Sequence, residues 1–257
     1  MTWTIRPRSK IGALAAITAG EGPLVVLIHG VGLRAEAWGA QIDALAKSHR
    51  VVAVDMPGHG KSARLAGTPT LAAYTDRIAE VIDGPATVIG HSFGAMIALD
   101  LAIRYRAKVS RLAALNAIYH RSPQARQAVL ARADSLDGES HADPAGPLER
   151  WFGPTASTAR SACEVWLRDA DPAGYRDAYR VFAQENGAQD DYLRSLPCPA
   201  LFLTGGQEPN STPAMSQQMA ALVPHGRAEI LPDAAHMAPM THGDDVNRIL
   251  TDFMKEA

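Results

Sequence analysis

The sequence predicts an α/β fold, a mostly parallel sheet with helices on both faces and a helical block inserted into it. Short apolar runs alternate with stretches whose apolar residues recur at helical spacing, and that rhythm stops once, over about 119–193, before it returns. Continuously apolar runs are what parallel strands need, because helices cover both of their faces.

The elements follow in order. Arg6, Arg8 and Lys10 precede a mildly apolar stretch from Ile11 to Ala19, a faint likeness to a secretory leader. That stretch is rich in Ala and Gly and broken by Thr18, and Trp3 and Ile5 alternate with polar neighbours, so an N-terminal hairpin in a cytoplasmic protein is expected. Leu24 to Ile28 is a buried strand bounded by Gly22-Pro23 and Gly30. Residues 37–47 read as a helix with Trp38, Ile42 and Leu45 on one side, and 51–54 as the next strand. Thr70 can cap a helix carrying Leu71, Tyr74, Ile78 and Val81. A strand over 86–89, a helix over 93–105 and a strand over 109–115 complete the first part. Beyond the interruption, strands at 200–203 and 228–231 alternate with helices at 213–222 and 244–254. The interruption is rich in Arg, Ala and Asp, with Trp151, Phe152, Trp166, Tyr175, Tyr179 and Phe182 among them, and reads as short helices. The expected organisation is a core of 1–118 and 196–257 with a helical cap over 119–195.

Composition narrows the function classes. At 257 residues and 47% hydrophobic content the chain builds a sizeable core as one domain with an insertion. A net charge of −2 offers no footprint for nucleic acid or an acidic membrane surface. Cys163 and Cys198 lack metal-binding or redox spacing, and no apolar run reaches the roughly 18 residues of a membrane span.

Gly90-His91-Ser92-Phe93-Gly94 is the strongest chemical signal. It fits G-x-S-x-G between a strand and a helix, where a sharp turn lifts the serine hydroxyl out of the fold. The helix N-terminus behind it offers free N–H groups to a developing oxyanion. As a chance glycine turn, the same residues would make Ser92 only a helix cap.

With this elbow in place, the chain resembles the α/β-hydrolase superfamily, and further segments carry the likeness. His29-Gly30-Val31-Gly32 follows the third strand, where that family has its oxyanion loop; Asp55-Met56-Pro57-Gly58-His59-Gly60-Lys61-Ser62 is similar to its D-x-P-G-x-G-x-S turn. His236 stands after the last strand, at the place of the family's histidine. The resemblance covers about 14–115 and 197–255, looks closest to small bacterial esterases and enol-lactonases such as 3-oxoadipate enol-lactonase, and implies an α/β-hydrolase fold with a cap. It also implies Ser92 as nucleophile, His236 as general base, and the N–H groups of Val31 and Phe93 as oxyanion hole. The family usually has G-x-x-D after the strand at 200–203. Here Gly205-Gly206-Gln207-Glu208 puts Glu208 at the acid position, and either carboxylate can orient an imidazole. A solvated loop glutamate is the bland alternative.

Two motifs compete with this reading. Gly30-Val31-Gly32-Leu33-Arg34-Ala35 fits the dinucleotide pattern G-x-G-x-x-A, with Asp55 near the matching distance, but that leaves Ser92 and His236 idle. Gly60-Lys61-Ser62 looks like a P-loop ending, yet Asp55 stands where the P-loop's first glycine belongs. No histidine cluster has metal-binding spacing, so neither metal nor cofactor is expected. The expectation is a serine esterase or lactonase acting on a small molecule through an acyl-enzyme. Arg34 is a candidate for holding an anionic substrate, and Trp151 and Trp166 for lining its pocket. C–C bond hydrolysis on the same triad, and a slow-turnover receptor on a hydrolase scaffold, stand as alternatives. Oligomeric state leaves no mark in the sequence.

Overall fold

The computed structural model describes residues 3–255. One eight-stranded sheet runs in the order β1-β2-β4-β3-β5-β6-β7-β8, with β1 Ser9–Ile11, β2 Leu14–Ala19, β3 Leu24–Ile28, β4 Arg50–Val54, β5 Ala86–His91, β6 Val109–Leu115, β7 Ala200–Gly205 and β8 Gly226–Leu231. The first two strands form an antiparallel hairpin, β2 pairs antiparallel with β4, and every later pairing is parallel.

Alternation along the strands divides the core into two layers. Leu24, Val26 and Ile28 face one layer with Tyr74 and Ile78 of α2 (Leu71–Ala79) and Phe93 and Ile97 of α3 (Phe93–Arg104). Val25 and Leu27 face the other, with Ile42 and Leu45 of α1 (Gly39–Leu45) and Val246, Leu250 and Phe253 of the last helix, Gly243–Lys255. Both faces of the strand are buried, which is why its sequence is apolar without a break.

The interruption in the rhythm is helical. Between β6 and β7 lie α4 Pro123–Asp134, α5 Ala145–Phe152, α6 Thr158–Asp169, α7 Pro172–Gln184 and α8 Asp190–Arg194. Their starts are locally encoded: Ser122 accepts from the Ala125 N–H at 3.2 Å, Ser157 from Arg160 at 3.1 Å and Asp171 from Gly174 at 3.1 Å. Two short helices complete the chain, α9 Pro213–Leu222 and α10 Ala238–Thr241, ahead of α11 Gly243–Lys255. Among the described residues no helix is long and apolar enough to cross a membrane.

The N-terminal expectation needs adjustment. Trp3 and Ile5 lie outside any strand, and the hairpin begins at Ser9. Side-chain charge pairing holds this segment instead: Arg6 reaches Asp43 at 2.8 Å, and Arg8 bridges Glu36 at 2.6 Å and Asp55 at 2.7 Å. The helix expected over 37–47 is split into a 3-10 turn, Ala35–Trp38, and α1. Asp55 fastens the start of that turn by accepting the Ala35 N–H at 2.9 Å.

Asp55 explains most of its motif. Its carboxylate also accepts from the Lys61 N–H at 3.0 Å, and a Cβ on Gly60 would sit 2.3 Å from its carboxyl carbon. Burial opposes the charge on Asp55, but Arg8 and these N–H groups outweigh it and hold its pKa below the usual carboxylate value. Arg8 therefore neutralises two carboxylates that are almost wholly buried. Arg8→Ala should lower the unfolding free energy by about 3–5 kcal/mol, measured by urea denaturation, and adding Asp55→Asn should recover part of the loss.

Candidate active site

Every polar group of the site stands at the carboxyl end of a strand. The chain passes from β3 to β4 on one side, whereas β5 adds to the other side of β3, so the sheet order reverses there. Crevices outside such reversals are where open α/β sheets bind ligands. The loop after β3 and the serine after β5 flank this one.

Ser92 has φ 57° and ψ −117°, a backbone state that L-residues rarely adopt. Its N–H is anchored to the Leu115 carbonyl of β6 at 2.8 Å. The two glycines of the motif are required by contact. A Cβ on Gly90 would lie 2.0 Å from the Gly94 carbonyl oxygen, and one on Gly94 would lie 2.1 Å from that of Ile28. The turn is thus pressed against itself and against β3, and only hydrogen atoms fit between the backbones.

Two neutral histidines frame the loop after β3. A backbone N–H can only donate, so the Met56 N–H at 3.0 Å from His29 Nε2 leaves the proton on Nδ1, which donates to the Gly30 carbonyl at 2.7 Å. In the same way Gly32 donates to His59 Nε2 at 3.0 Å, and His59 Nδ1 donates to the Pro57 carbonyl at 3.2 Å. Burial holds both rings uncharged, with the His29 pKa pushed down to about 3. Between these ties the N–H groups of Val31 and Phe93 donate to no acceptor among the described residues.

The histidine and the acid meet across two loops. After β7, a Cβ on Gly205 would lie 2.2 Å from the Ala234 carbonyl oxygen and one on Gly206 would lie 2.5 Å from that of Pro232. This close packing brings Glu208 to His236, whose Nδ1 donates to Glu208 Oε2 at 2.6 Å. Oε1 of the same carboxylate accepts from the Asn210 N–H at 2.8 Å and from Ser211 at 3.3 Å. Burial opposes the negative charge of Glu208, but His236 and these N–H donors outweigh it and hold its pKa down to about 2. Asp233 and Asp191, the other acids near these elements, do not contact the imidazole. With Nδ1 committed to the carboxylate, Nε2 is the nitrogen left to exchange protons.

Three further residues belong to this arrangement. Asn116, just after β6, takes φ 53° and donates to Glu208 Oε2 at 3.3 Å and Thr204 Oγ1 at 3.2 Å. Its signal in the sequence is an asparagine closing a buried strand. His91, lowered to about 3 by burial, is neutral and donates from Nε2 to the His236 carbonyl at 2.8 Å. Trp151 stacks on the His236 ring with centroids 5.9 Å apart and planes 19° apart, a face suited to a cation formed there.

Ser92 and His236 open onto one cavity of about 610 Å³, walled by Val31 and Asn116 from the core and by Trp151, Tyr175, Tyr179 and Phe182 from the insert. The structure does not bring Arg34 or Trp166 to this wall. They line a separate cleft of about 310 Å³ beside the 58–64 turn. Extended backbone at Arg34 (φ −154°) sends its guanidinium to Asp169 at 3.1 Å and over the Trp166 ring at 5.5 Å.

Known proteins share this framework. A model described as the alpha/beta hydrolase family matches residues 25–249, and the chain belongs to that family. It is 39% identical over 242 residues to the (E)-2-((N-methylformamido)methylene)succinate hydrolase of Acinetobacter baylyi, covering 92% of each chain. Among solved structures, a thermophilic esterase from Thermogutta terrifontis superposes with a TM-score of 0.87 at 25% identity, covering 97% of this chain and 98% of that one. The enol-lactonase of Burkholderia xenovorans superposes with a TM-score of 0.83 at 24% identity, covering 97% and 100%, a likeness of fold.

Glu208→Gln removes the carboxylate that selects the imidazole tautomer, so kcat should fall by about 10³–10⁴-fold with the fold retained. The charged form of Glu208 stabilises the folded state above the ordinary glutamate value of 4.5, and that contribution is lost as pH falls towards about 2. The gap in urea midpoint between wild type and Glu208→Gln should accordingly narrow between those pH values.

Proposed function

We propose that the protein is a serine hydrolase that transfers the acyl group of a small ester or lactone to water. The observation that carries this is Ser92 on its strained elbow, sharing a cavity with a histidine whose Nδ1 is held by buried Glu208 at 2.6 Å. The Ser92 oxygen attacks the carbonyl carbon while its proton passes to His236 Nε2. The carbonyl π pair moves to oxygen, where the N–H groups of Val31 and Phe93 receive it. Each such donor is worth about 2.7–4 kcal/mol in the transition state. The bond to the leaving group then breaks, and His236 returns the proton to the departing oxygen. A water molecule, deprotonated by the same nitrogen, releases the acid and restores Ser92.

A second reading is favoured by the Acinetobacter relative, whose name specifies an N-acylated aminomethylene succinate. The same steps cleave an N-acyl bond if His236 delivers its proton to nitrogen, so the substrate class extends to amides of this kind.

The test sets short esters, lactones and N-formyl enamides against wild type and Ser92→Ala. Wild type should turn over at least one class, with a serine-directed phosphonate adduct on the peptide carrying Ser92. Ser92→Ala should lose on the order of 10⁶ in kcat. A variant retaining a tenth of wild-type activity would falsify the nucleophile assignment.

A further inference from the structure

We infer that the substrate carries a carboxylate away from the scissile bond, and that Arg132 of the insert grips it through the Nε–Nη2 edge of its guanidinium. This deepens the hydrolase reading and rests on it for the identity of the reacting end.

The charge on the cavity wall is one-sided. Arg121, Arg132 and Arg150 line it, and no aspartate or glutamate does. Glu208 lies behind His236, where the imidazole already occupies it. Elsewhere in and around the insert arginines find carboxylates: Arg64 and Arg176 pair with Asp177 at 2.5 and 3.1 Å, Arg168 with Glu164 at 2.8 Å, and Arg194 with Asp191 at 3.1 Å. The three on the cavity wall make no ion pair among the described residues.

Arg132 is placed to bind. Its guanidinium lies over the Tyr179 ring, 5.5 Å from the centroid. The Tyr175 hydroxyl is the guanidinium's polar neighbour, while Nε and Nη2 are shielded from solvent and have no hydrogen-bond acceptor. These two N–H groups form the edge that meets a carboxylate with two parallel bonds. Burying such donors unpaired costs free energy, which a ligand's oxygens recover once the guanidinium turns this edge into the cavity. Arg121 has a different part. It is 9% exposed, with its guanidinium 4.5 Å from the Phe182 ring centroid and its terminal nitrogens donating to the carbonyls of Glu185 and Phe182. Its hydrogen bonds are spent on the backbone, so it contributes charge to the wall. Arg150, at the exposed end of α5, adds a further cation near the rim. The reacting groups come from the core and the cations from the insert, so one substrate spans both, acyl carbonyl at Ser92 and carboxylate at Arg132.

The experiment pairs monomethyl succinate with dimethyl succinate, which share an acyl skeleton and differ in charge, and adds succinate as a non-reacting probe by calorimetry. Wild type should favour the monoanionic ester in kcat/KM by about tenfold or more, and Arg132→Gln should reduce that ratio about ten- to a hundredfold, chiefly through KM. Arg132→Lys keeps the charge but not the fork and should fall between them. Succinate should bind wild type at least about tenfold more tightly than Arg132→Gln. Equal kcat/KM for the two esters in wild type, or a ratio unchanged in both variants, overturns the assignment, as does absence of succinate binding to wild type. If Arg132→Gln fails to fold, the wild-type ratio, Arg132→Lys and succinate binding still decide. Succinate binding without turnover of any ester, lactone or N-formyl enamide would count against the hydrolase reading alone, and ester turnover without charge preference against the carboxylate grip alone.

Discussion

The close approach of three backbone segments at the elbow is the constraint on which the rest depends. Gly90, Gly94 and the end of β3 lie so near one another that a single added methyl at either glycine meets a carbonyl oxygen at about 2 Å. That contact drives Ser92 into its left-handed conformation and aims its hydroxyl away from the sheet. It also sets the start of α3 against the loop after β3, so that free N–H groups from two separate elements face one side. A looser turn would leave a serine capping a helix.

The loop opposite the elbow is held by groups that take no part in bond making. Arg8 neutralises Glu36 and Asp55, Asp55 fastens the starts of the turns at Ala35 and Lys61, and His29 and His59 tie the loop through accepting nitrogens. Neutrality is essential to the last pair, because a protonated ring has no lone pair left for a backbone N–H. Burial supplies it by disfavouring the charged form. The same logic runs in reverse at Glu208, where paired donors and the facing imidazole keep a buried carboxylate ionised.

Core and insert divide the labour. Ser92, His236, Glu208 and the unpaired N–H groups of Val31 and Phe93 all stand beyond the carboxyl ends of strands, whereas the aromatic and cationic wall comes from α4, α5, α7 and the segment before them. Trp151 links the two by lying on the His236 imidazole. Changes in the insert can therefore reshape the cavity wall while the arrangement of Ser92, His236 and Glu208 stays intact.

The sequence by itself determined what depends on local pattern. Apolar runs marked the strands because parallel strands are buried on both faces, and an α/β sheet with a helical insertion followed; the α/β-hydrolase fold came from the resemblance that the motifs carry. The motif around Ser92 was legible as a pattern bounded by a strand and a helix, and the resemblance singled out Glu208, which the structure brings to His236, by its offset from Gly205. Tertiary structure alone decided what depends on packing between distant segments. Arg34 follows the loop after β3 in sequence, yet its extended backbone delivers it to Asp169 and Trp166 in another cleft. Asn116 gains its place because β7 lies beside β6. Nothing in the sequence singled out Arg121 and Arg132 among the many arginines of the insert, and they are cavity wall because the insert folds over the sheet. An arginine's role is set by which carboxylate, ring or solvent its long side chain reaches, and that is a property of neighbours in space that chain order does not encode.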